Sequence, residues 1–190
     1  MILETQNLIL RELEERDTQA LVHGLDNINV AKFLVTPPFP YTNSDAEWFI
    51  KKTLNDSKQI PRISYELAIA QKERDTLIGA IMLKDIDYTT LTCELGYWLS
   101  EEYWKKGITS QAANMAIKFA FEELHLNKIM AKAITQNIAS NNLIKKLGFT
   151  FERMIPNAIT QKYSGKIFDD NTYWLKREDW EKNKLKTTQE

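Results

Sequence analysis

The sequence is poor in cysteine and glycine, and it lacks both a surplus of charge and any long apolar run. Its single cysteine, Cys93, rules out an internal disulfide and suits a reducing cytoplasm. No apolar stretch approaches the roughly 18 residues of a membrane helix, and residues 1–10 lack the pattern of a secretory signal. We therefore expect a cytoplasmic protein without a membrane segment.

Two further shortages exclude other classes of function. The formal net charge of −1 lacks the large basic excess of many nucleic-acid-binding proteins, so we expect no nucleic-acid partner. The only two histidines, His23 and His125, have no partner at the spacing of metal ligands. We therefore expect no metal site.

What the chain does contain is enough apolar material for one core. Its 190 residues are 43% hydrophobic, which indicates a single domain over residues 1–181. Residues 182–190 are polar and lack apolar anchors, so they are predicted to form a flexible tail.

Hydrophobic periodicity predicts an α/β protein. Helices are predicted at 15–25, after a capping box at 44–47, at 109–124 and at 139–147. Strands are predicted at 8–13, 64–71, 77–83, 92–99, 128–135, 149–153 and 167–175. The series strand, helix, strand at 92–135 should place its two strands parallel, which gives a mixed sheet with helices on both faces.

The opening of the helix at 109–124 is a candidate anion site. The first turn of a helix leaves amide groups unpaired, and Gly107 permits a backbone that approaches a ligand closely. Lys105 and Lys106 precede it, and Thr109 and Ser110 follow. A simple turn with solvated lysines is about as plausible. No P-loop run is present and only one glycine occurs, so the ligand would be a phosphate carrier other than a mononucleotide or dinucleotide.

Several motifs together resemble the GNAT superfamily of N-acetyltransferases, and most of all its ribosomal-protein alanine/serine branch. Each is short, but their order and spacing are specific, and the likeness covers nearly the whole chain. They are Cys93–Leu99, Tyr103–Ser110, Asn137–Ser140 and Lys146–Phe149, with Glu4–Arg11 at the start and Tyr173–Trp180 at the end.

The resemblance implies a sheet that splays into a V between the strands at 92–99 and 128–135, with acetyl-CoA lying in the V. Its pyrophosphate would rest on the amides of Lys105, Lys106, Gly107, Ile108, Thr109 and Ser110. Its pantetheine arm would pair with the backbone near Trp98 and Leu99, and Asn137 and Asn142 would contact it from the other side. The sequence departs from the family pattern at Trp104, where Gln or Arg is frequent. It departs again at Ile144, where many members carry a tyrosine that acts as the general acid. In this sequence the hydroxyl of Ser140 would take that role.

The chemistry requires a group that takes a proton from the amine and donors for the oxyanion. Glu94 is the candidate base; the alternative is that it is an ordinary solvent-facing residue of its strand. Backbone amides near Trp98 and Leu99 would hold the oxyanion if the strand bulges there. Ser140 would return a proton to the thiolate or simply help to begin a helix, and Asn137 would cap that helix or orient the cofactor.

The amine acceptor would bind between the early helices and the last hairpin. The predicted walls are Phe33, Tyr41, Trp48, Tyr163 and Phe168. Four aspartates could attract a cation there or could equally be normal solvated surface: Asp26, Asp45, Asp169 and Asp170. We expect transfer of acetyl from acetyl-CoA to a protein N-terminal amine by direct attack on the thioester. A small amine such as a polyamine or aminoglycoside is the alternative, as is a non-catalytic acyl-CoA-binding domain. A homodimer is compatible with the sequence but not indicated by it.

Overall fold

An eight-stranded sheet forms the centre of the protein in the computed structural model, which describes residues 2–187. The strands lie in the order β1-β2-β3-β4-β5-β6-β8-β7, and all neighbours are antiparallel except β5 and β6. The strands are β1 (Ile2–Glu4), β2 (Leu8–Glu12), β3 (Tyr65–Gln71), β4 (Thr76–Asp87), β5 (Thr92–Leu99), β6 (Lys128–Ile134), β7 (Thr150–Thr160) and β8 (Ile167–Lys176).

Helices cover both faces of this sheet, as predicted. They are α1 (Thr18–Leu25), α2 (Ile28–Ala31), α3 (Asn43–Asp56), α4 (Ile108–Glu122), α5 (Ile138–Lys146) and α6 (Arg177–Thr187). Because α4 carries four buried alanines on one side, its backbone lies close to β4 and β5. The opposite face of the sheet packs against α1 and α3 through a second apolar cluster.

The sheet opens between its two parallel strands. Residues 92–95 of β5 pair with residues 128–131 of β6, yet both strands continue for three or four residues beyond the last pair. Over the same stretch β5 stays paired with β4, and β6 stays paired with β8. The strands therefore diverge into the V that the family resemblance implies.

Some local predictions need correction. The capping box of α3 uses Thr42 and Asp45, not Ser44 and Glu47, so the helix begins two residues earlier than that pattern indicates. The strand β1 was not predicted, since three residues carry too little periodicity. The helix α6 continues past residue 182 to Thr187, so the start of the predicted flexible tail is helical; residues 188–190 lie outside the described part.

Candidate active site

The start of α4 has the form predicted for an anion site. Gly107 caps the helix with φ of 75°, and no side chain caps it. Its carbonyl accepts a hydrogen bond from the Gln111 amide, but the amides of residues 105–110 make none to any described group. A Cβ placed on Gly107 would meet no atom within 4 Å. The helix start is therefore open to a ligand, and its dipole favours an anionic one.

Trp104 braces the loop before α4 against the end of β5. Its indole nitrogen donates to the carbonyl of Leu99 at 2.7 Å. Ser100 donates its amide to Ile78 on β4, and successive residues of a strand aim their backbone groups to opposite sides. The backbone of Leu99 therefore faces the gap, with its carbonyl taken by Trp104 and its amide available.

The strand β5 has no bulge beside the gap. The register from Leu99 to Glu94 against β4 is unbroken, and the irregularity of this pair lies between Lys84 and Asp87. The bulge considered from the sequence is absent at Trp98 and Leu99. Any amide donor in the gap belongs to a regular strand that has lost its neighbour.

The start of α5 meets β5 across the gap. Asn137 is the N-cap, since its side-chain oxygen accepts from the Ser140 amide at 3.1 Å. The Ser140 hydroxyl lies 2.9 Å from the Tyr97 hydroxyl, so the two form a hydrogen-bonded pair. Burial raises the pKa of Tyr97 to about 12, although the bond to Ser140 acts in the other direction. Tyr97 was not predicted as a site residue. The available signal was that Tyr97 alternates with Leu95 and Leu99 and so lies on the same face of β5.

Asn142 is exposed, whereas its neighbour Asn141 is buried and was not predicted to matter. The Asn141 side chain donates to the carbonyls of Ile134 and Asn137 and accepts from Asn171 and Tyr173. It thus joins the end of β6, the start of α5 and β8. Its spacing of four residues from the predicted cap was the only sequence signal for this role.

The other face of the sheet carries a row of charges, one from each of five neighbouring strands. We call it the polar row: Glu66, Lys84, Glu94, Lys132 and Asp170, from β3, β4, β5, β6 and β8 in turn. Glu94 is only 9% exposed and is held between two lysines. Its carboxylate oxygens lie 2.8 Å from the ammonium of Lys84 and 3.0 Å from that of Lys132.

These ion pairs determine the basicity of Glu94. Burial acts to raise its pKa, but Lys84 and Lys132 outweigh burial and hold the pKa below its ordinary value. The predicted base is therefore an ionised group already engaged by two cations. The local sequence could not show this, because the two lysines come from other strands.

The predicted acceptor walls occupy three different environments. Tyr41 is buried in the cluster under α1 and α3, and its backbone amide donates to the carboxylate of Asp26. Trp48 is 65% exposed on α3, and Phe33 is half-buried beside the ammonium of Lys32. Their roles in acceptor binding stay predictions.

The two segments predicted to enclose the acceptor are fastened together. The side-chain amide of Gln161, at the end of β7, donates to the carbonyls of Ala31, Lys32 and Leu34. The Lys162 amide donates to the carbonyl of Val35, and the rings of Phe39 and Tyr163 lie 5.5 Å apart. The early helices and the last hairpin therefore meet beside the open end of the sheet.

Within residues 2–187, no group of three metal-binding side chains is close enough to hold an ion. None of the helices described there is long and apolar enough to cross a bilayer.

Comparison with known proteins identifies the family. Residues 7–150 match the acetyltransferase (GNAT) domain family. The chain belongs to this family. The uncharacterized N-acetyltransferase YnaD of Bacillus subtilis is 28% identical to it over 180 residues, which is 95% of this chain and 99% of YnaD. The ribosomal-protein-serine acetyltransferase of Escherichia coli is 27% identical over 134 residues, covering 70% and 71% of the two chains.

The fold agrees with that assignment. The spermidine N-acetyltransferase of Vibrio cholerae, solved in complex with CoA and spermine, superposes with a TM-score of 0.78 at 21% identity. The match covers 93% of this chain and 99% of the other. This GNAT chain is an acetyl-CoA-dependent N-acetyltransferase.

Proposed function

We propose that this enzyme acetylates the N-terminal amine of a protein, by direct attack of that amine on the thioester of acetyl-CoA. The relative from Escherichia coli that acetylates ribosomal-protein serine, together with the Asn137–Ser140 motif, supports this acceptor class. An α-amine has a pKa near 8, about 2 units below that of a lysine side chain, so it needs less help to lose its proton. A polyamine is the second candidate, favoured by the three carboxylates of the polar row.

The observation that carries the proposal is the continuity between two features. The unpaired amides of residues 105–110 fit a diphosphate, and the gap between β5 and β6 begins beside them at Leu99. We assign the diphosphate to that segment and the pantetheine arm to the free edge of β5, where the backbone groups of Tyr97 and Leu99 face the gap; those of Trp98 face β4, so the predicted pairing at Trp98 needs correction. Asn142 is placed on the exposed surface of α5, where it would contact the cosubstrate from the other side.

The residues at the gap have distinct tasks in the reaction. The Leu99 amide faces the gap and would donate to the oxyanion that forms on the thioester carbonyl. The Ser140 hydroxyl, with Tyr97 behind it, would supply a proton to the departing sulfur. Asn137 acts on this step through the helix start, because its side chain holds the Ser140 amide.

Two measurements test the function. Calorimetry with acetyl-CoA and with CoA should show binding of both to the parent protein, and absence of both would refute the cosubstrate assignment. Release of free thiol should then be followed against a panel of peptides with free N-termini, spermidine and an aminoglycoside. Turnover of the peptides alone supports the proposal, turnover of spermidine alone supports the second candidate, and binding without turnover of any amine would support the non-catalytic alternative.

A further inference from the structure

Asp170 stands on the far arm of the V from Glu94. It pairs with Ile134 of β6, in the part of that strand that has left β5. Glu94 pairs with Met130, and residues 130 and 134 lie on the same side of β6, so the two carboxylates project from the same face of the sheet. One carboxylate thus stands where the V closes, and the other stands beside its opening.

The carboxylate of Asp170 differs from the other candidate aspartates in having no assigned partner. The residue is 3% exposed and no hydrogen bond among the described residues involves its carboxylate, whose oxygens keep a small contact with solvent because neither is among the fully buried oxygens without a partner. Asp26 accepts from a backbone amide, and so do Asp45 and Asp169. Burying a carboxylate without hydrogen bonds is costly, which is why such groups are normally found with a partner.

The charges that act on Asp170 come from the rest of the polar row. Burial raises its pKa, Glu94 adds to this, and Lys132 and Lys84 act in the other direction, with a net rise. The neighbouring hydroxyl of Thr172, also buried, has no partner among the described residues either. Of the two fully buried side-chain oxygens without a partner among the described residues, one thus lies beside Asp170, and the other, Glu66 Oε2, lies at the far end of the polar row.

The signs of the charges in the polar row indicate what kind of group would bind beside the Asp170 carboxylate. Along the sheet the polar row alternates acid, base, acid, base, acid, which gives three carboxylates, two ammonium groups and a net charge of −1. The row ends on an acid at Asp170. A cation bound beside that carboxylate would continue the alternation and would lie next to the gap.

We propose that the Asp170 carboxylate, rather than that of Glu94, receives the ammonium group of the acceptor and takes its first proton. This rests on the proposed function and names the group that recognises the amine. The neutral nitrogen then attacks the thioester carbonyl, so a C–N bond forms and the C–S bond breaks. The nitrogen loses its second proton as sulfur leaves, and sulfur gains one through Ser140; the proton on Asp170 passes to solvent. In this scheme Glu94 positions Lys132, and its negative charge contributes to the electrostatic potential at Asp170.

The kinetic test compares Asp170→Asn with Glu94→Gln, using Asp179→Asn, at an exposed aspartate of α6, as a matched control. For the best acceptor in the panel, Asp170→Asn should lower kcat/KM by about 100-fold or more near neutral pH. Because an amine that is already neutral needs no base, the loss should shrink as the pH approaches the pKa of the amine. Asp179→Asn should stay within about three-fold of the parent at every pH, and calorimetry should show the same acetyl-CoA affinity for all four proteins.

Two kinetic results would overturn the proposal. One is Asp170→Asn retaining parent kcat/KM near neutral pH. The other is Glu94→Gln alone showing the large loss that recovers at high pH. A parent protein that binds acetyl-CoA but acetylates no amine would instead overturn the proposed function, and a second readout then decides the state of Asp170.

That second readout is folding stability against pH. A raised pKa means that the folded protein binds the Asp170 proton more tightly than the unfolded chain does. Ionised Asp170 therefore weakens the fold at pH values above the unfolded pKa of about 3.9. Asp170→Asn should melt at a higher temperature than the parent at pH 7, with a difference that disappears below about pH 4. A lower melting temperature at pH 7 would show that the carboxylate has a stabilising partner, and would overturn the proposal whether or not any amine is turned over.

Discussion

Replacing Asn141 with leucine should destabilise the protein through a countable loss of hydrogen bonds. The side chain is 5% exposed and makes four of them. It donates to the carbonyls of Ile134 at 3.0 Å and Asn137 at 2.8 Å. It accepts from Asn171 at 2.9 Å and from the Tyr173 hydroxyl at 2.7 Å. Leucine has a similar size, so the change removes polar contacts without leaving a large cavity.

The size of the effect follows from what each partner retains. The carbonyls of Ile134 and Asn137 each keep a backbone donor, so each should lose only a net bond of about 1 kcal/mol. The Tyr173 hydroxyl belongs to a fully buried residue, and leaving it unsatisfied costs about 1–3 kcal/mol. With the Asn171 bond included, we expect a loss of about 4 kcal/mol in the free energy of unfolding.

Urea unfolding followed by both tryptophan fluorescence and circular dichroism measures this loss. The neighbouring variant Asn142→Leu is the control, since that side chain is exposed and its replacement should change stability by no more than about 0.5 kcal/mol. The slope of the transition should be the same in all three proteins. A loss below about 1 kcal/mol for Asn141→Leu, or an equal loss for Asn142→Leu, would refute the argument.

Three other changes act around the gap. In Gly79→Ala the new Cβ would lie 2.4 Å from the carbonyl oxygen of Trp98, so β5 must shift. We expect the free energy of unfolding to fall by about 1–3 kcal/mol and the KM for acetyl-CoA to rise. Parent values for both quantities would contradict this. In Gly107→Glu the new side chain meets open space, but the backbone has φ of 75°, so the free energy of unfolding should fall by about 1–2 kcal/mol. Calorimetry should show a much weaker affinity for acetyl-CoA. An unchanged affinity would count against the diphosphate site. Tyr97→Phe removes the hydrogen-bond partner of Ser140 and should lower kcat without changing the affinity for acetyl-CoA. Adding Ser140→Ala to this variant should lower kcat only a little further. Fully additive losses of kcat would show that the two hydroxyls act separately.

Local sequence patterns were sufficient for most of the sheet and for the start of α4. Alternation and helical spacing placed the strands from β3 to β6 and the alanine face of α4, because burial on a regular element repeats along the chain. The splay between β5 and β6 came from family resemblance, since no local pattern marks the point at which two parallel strands separate. The very short β1 carried no readable pattern.

The charged contacts of the site were beyond a reading of one sequence. Lys84 and Lys132 lie 10 and 38 residues from Glu94 along the chain and become its neighbours only through the order and register of the strands. Asp170 could be named as a candidate cation attractor, but only the folded structure shows that it lacks the backbone amide donors that Asp26 and Asp45 have. The chemistry that a carboxylate can perform depends on such long-range partners, so the sequence identified the acids without ranking them.

The register of β5 gives the two faces of this strand different surroundings. Side chains at Leu95, Tyr97 and Leu99 face α4 and α5, where the open helix start and the Ser140 hydroxyl lie. Glu94 and Trp98 point to the other face, which carries the polar row and the cluster under α1 and α3. A slip of one residue would exchange the two sets and place a carboxylate under α4. Gly79 lies opposite Leu99, and a Cβ at this position would lie 2.4 Å from the carbonyl oxygen of Trp98, so a slip that placed a larger residue here would bring its side chain against the β5 backbone. The pairing of β4 with β5 therefore fixes the geometry on which the proposed active site depends.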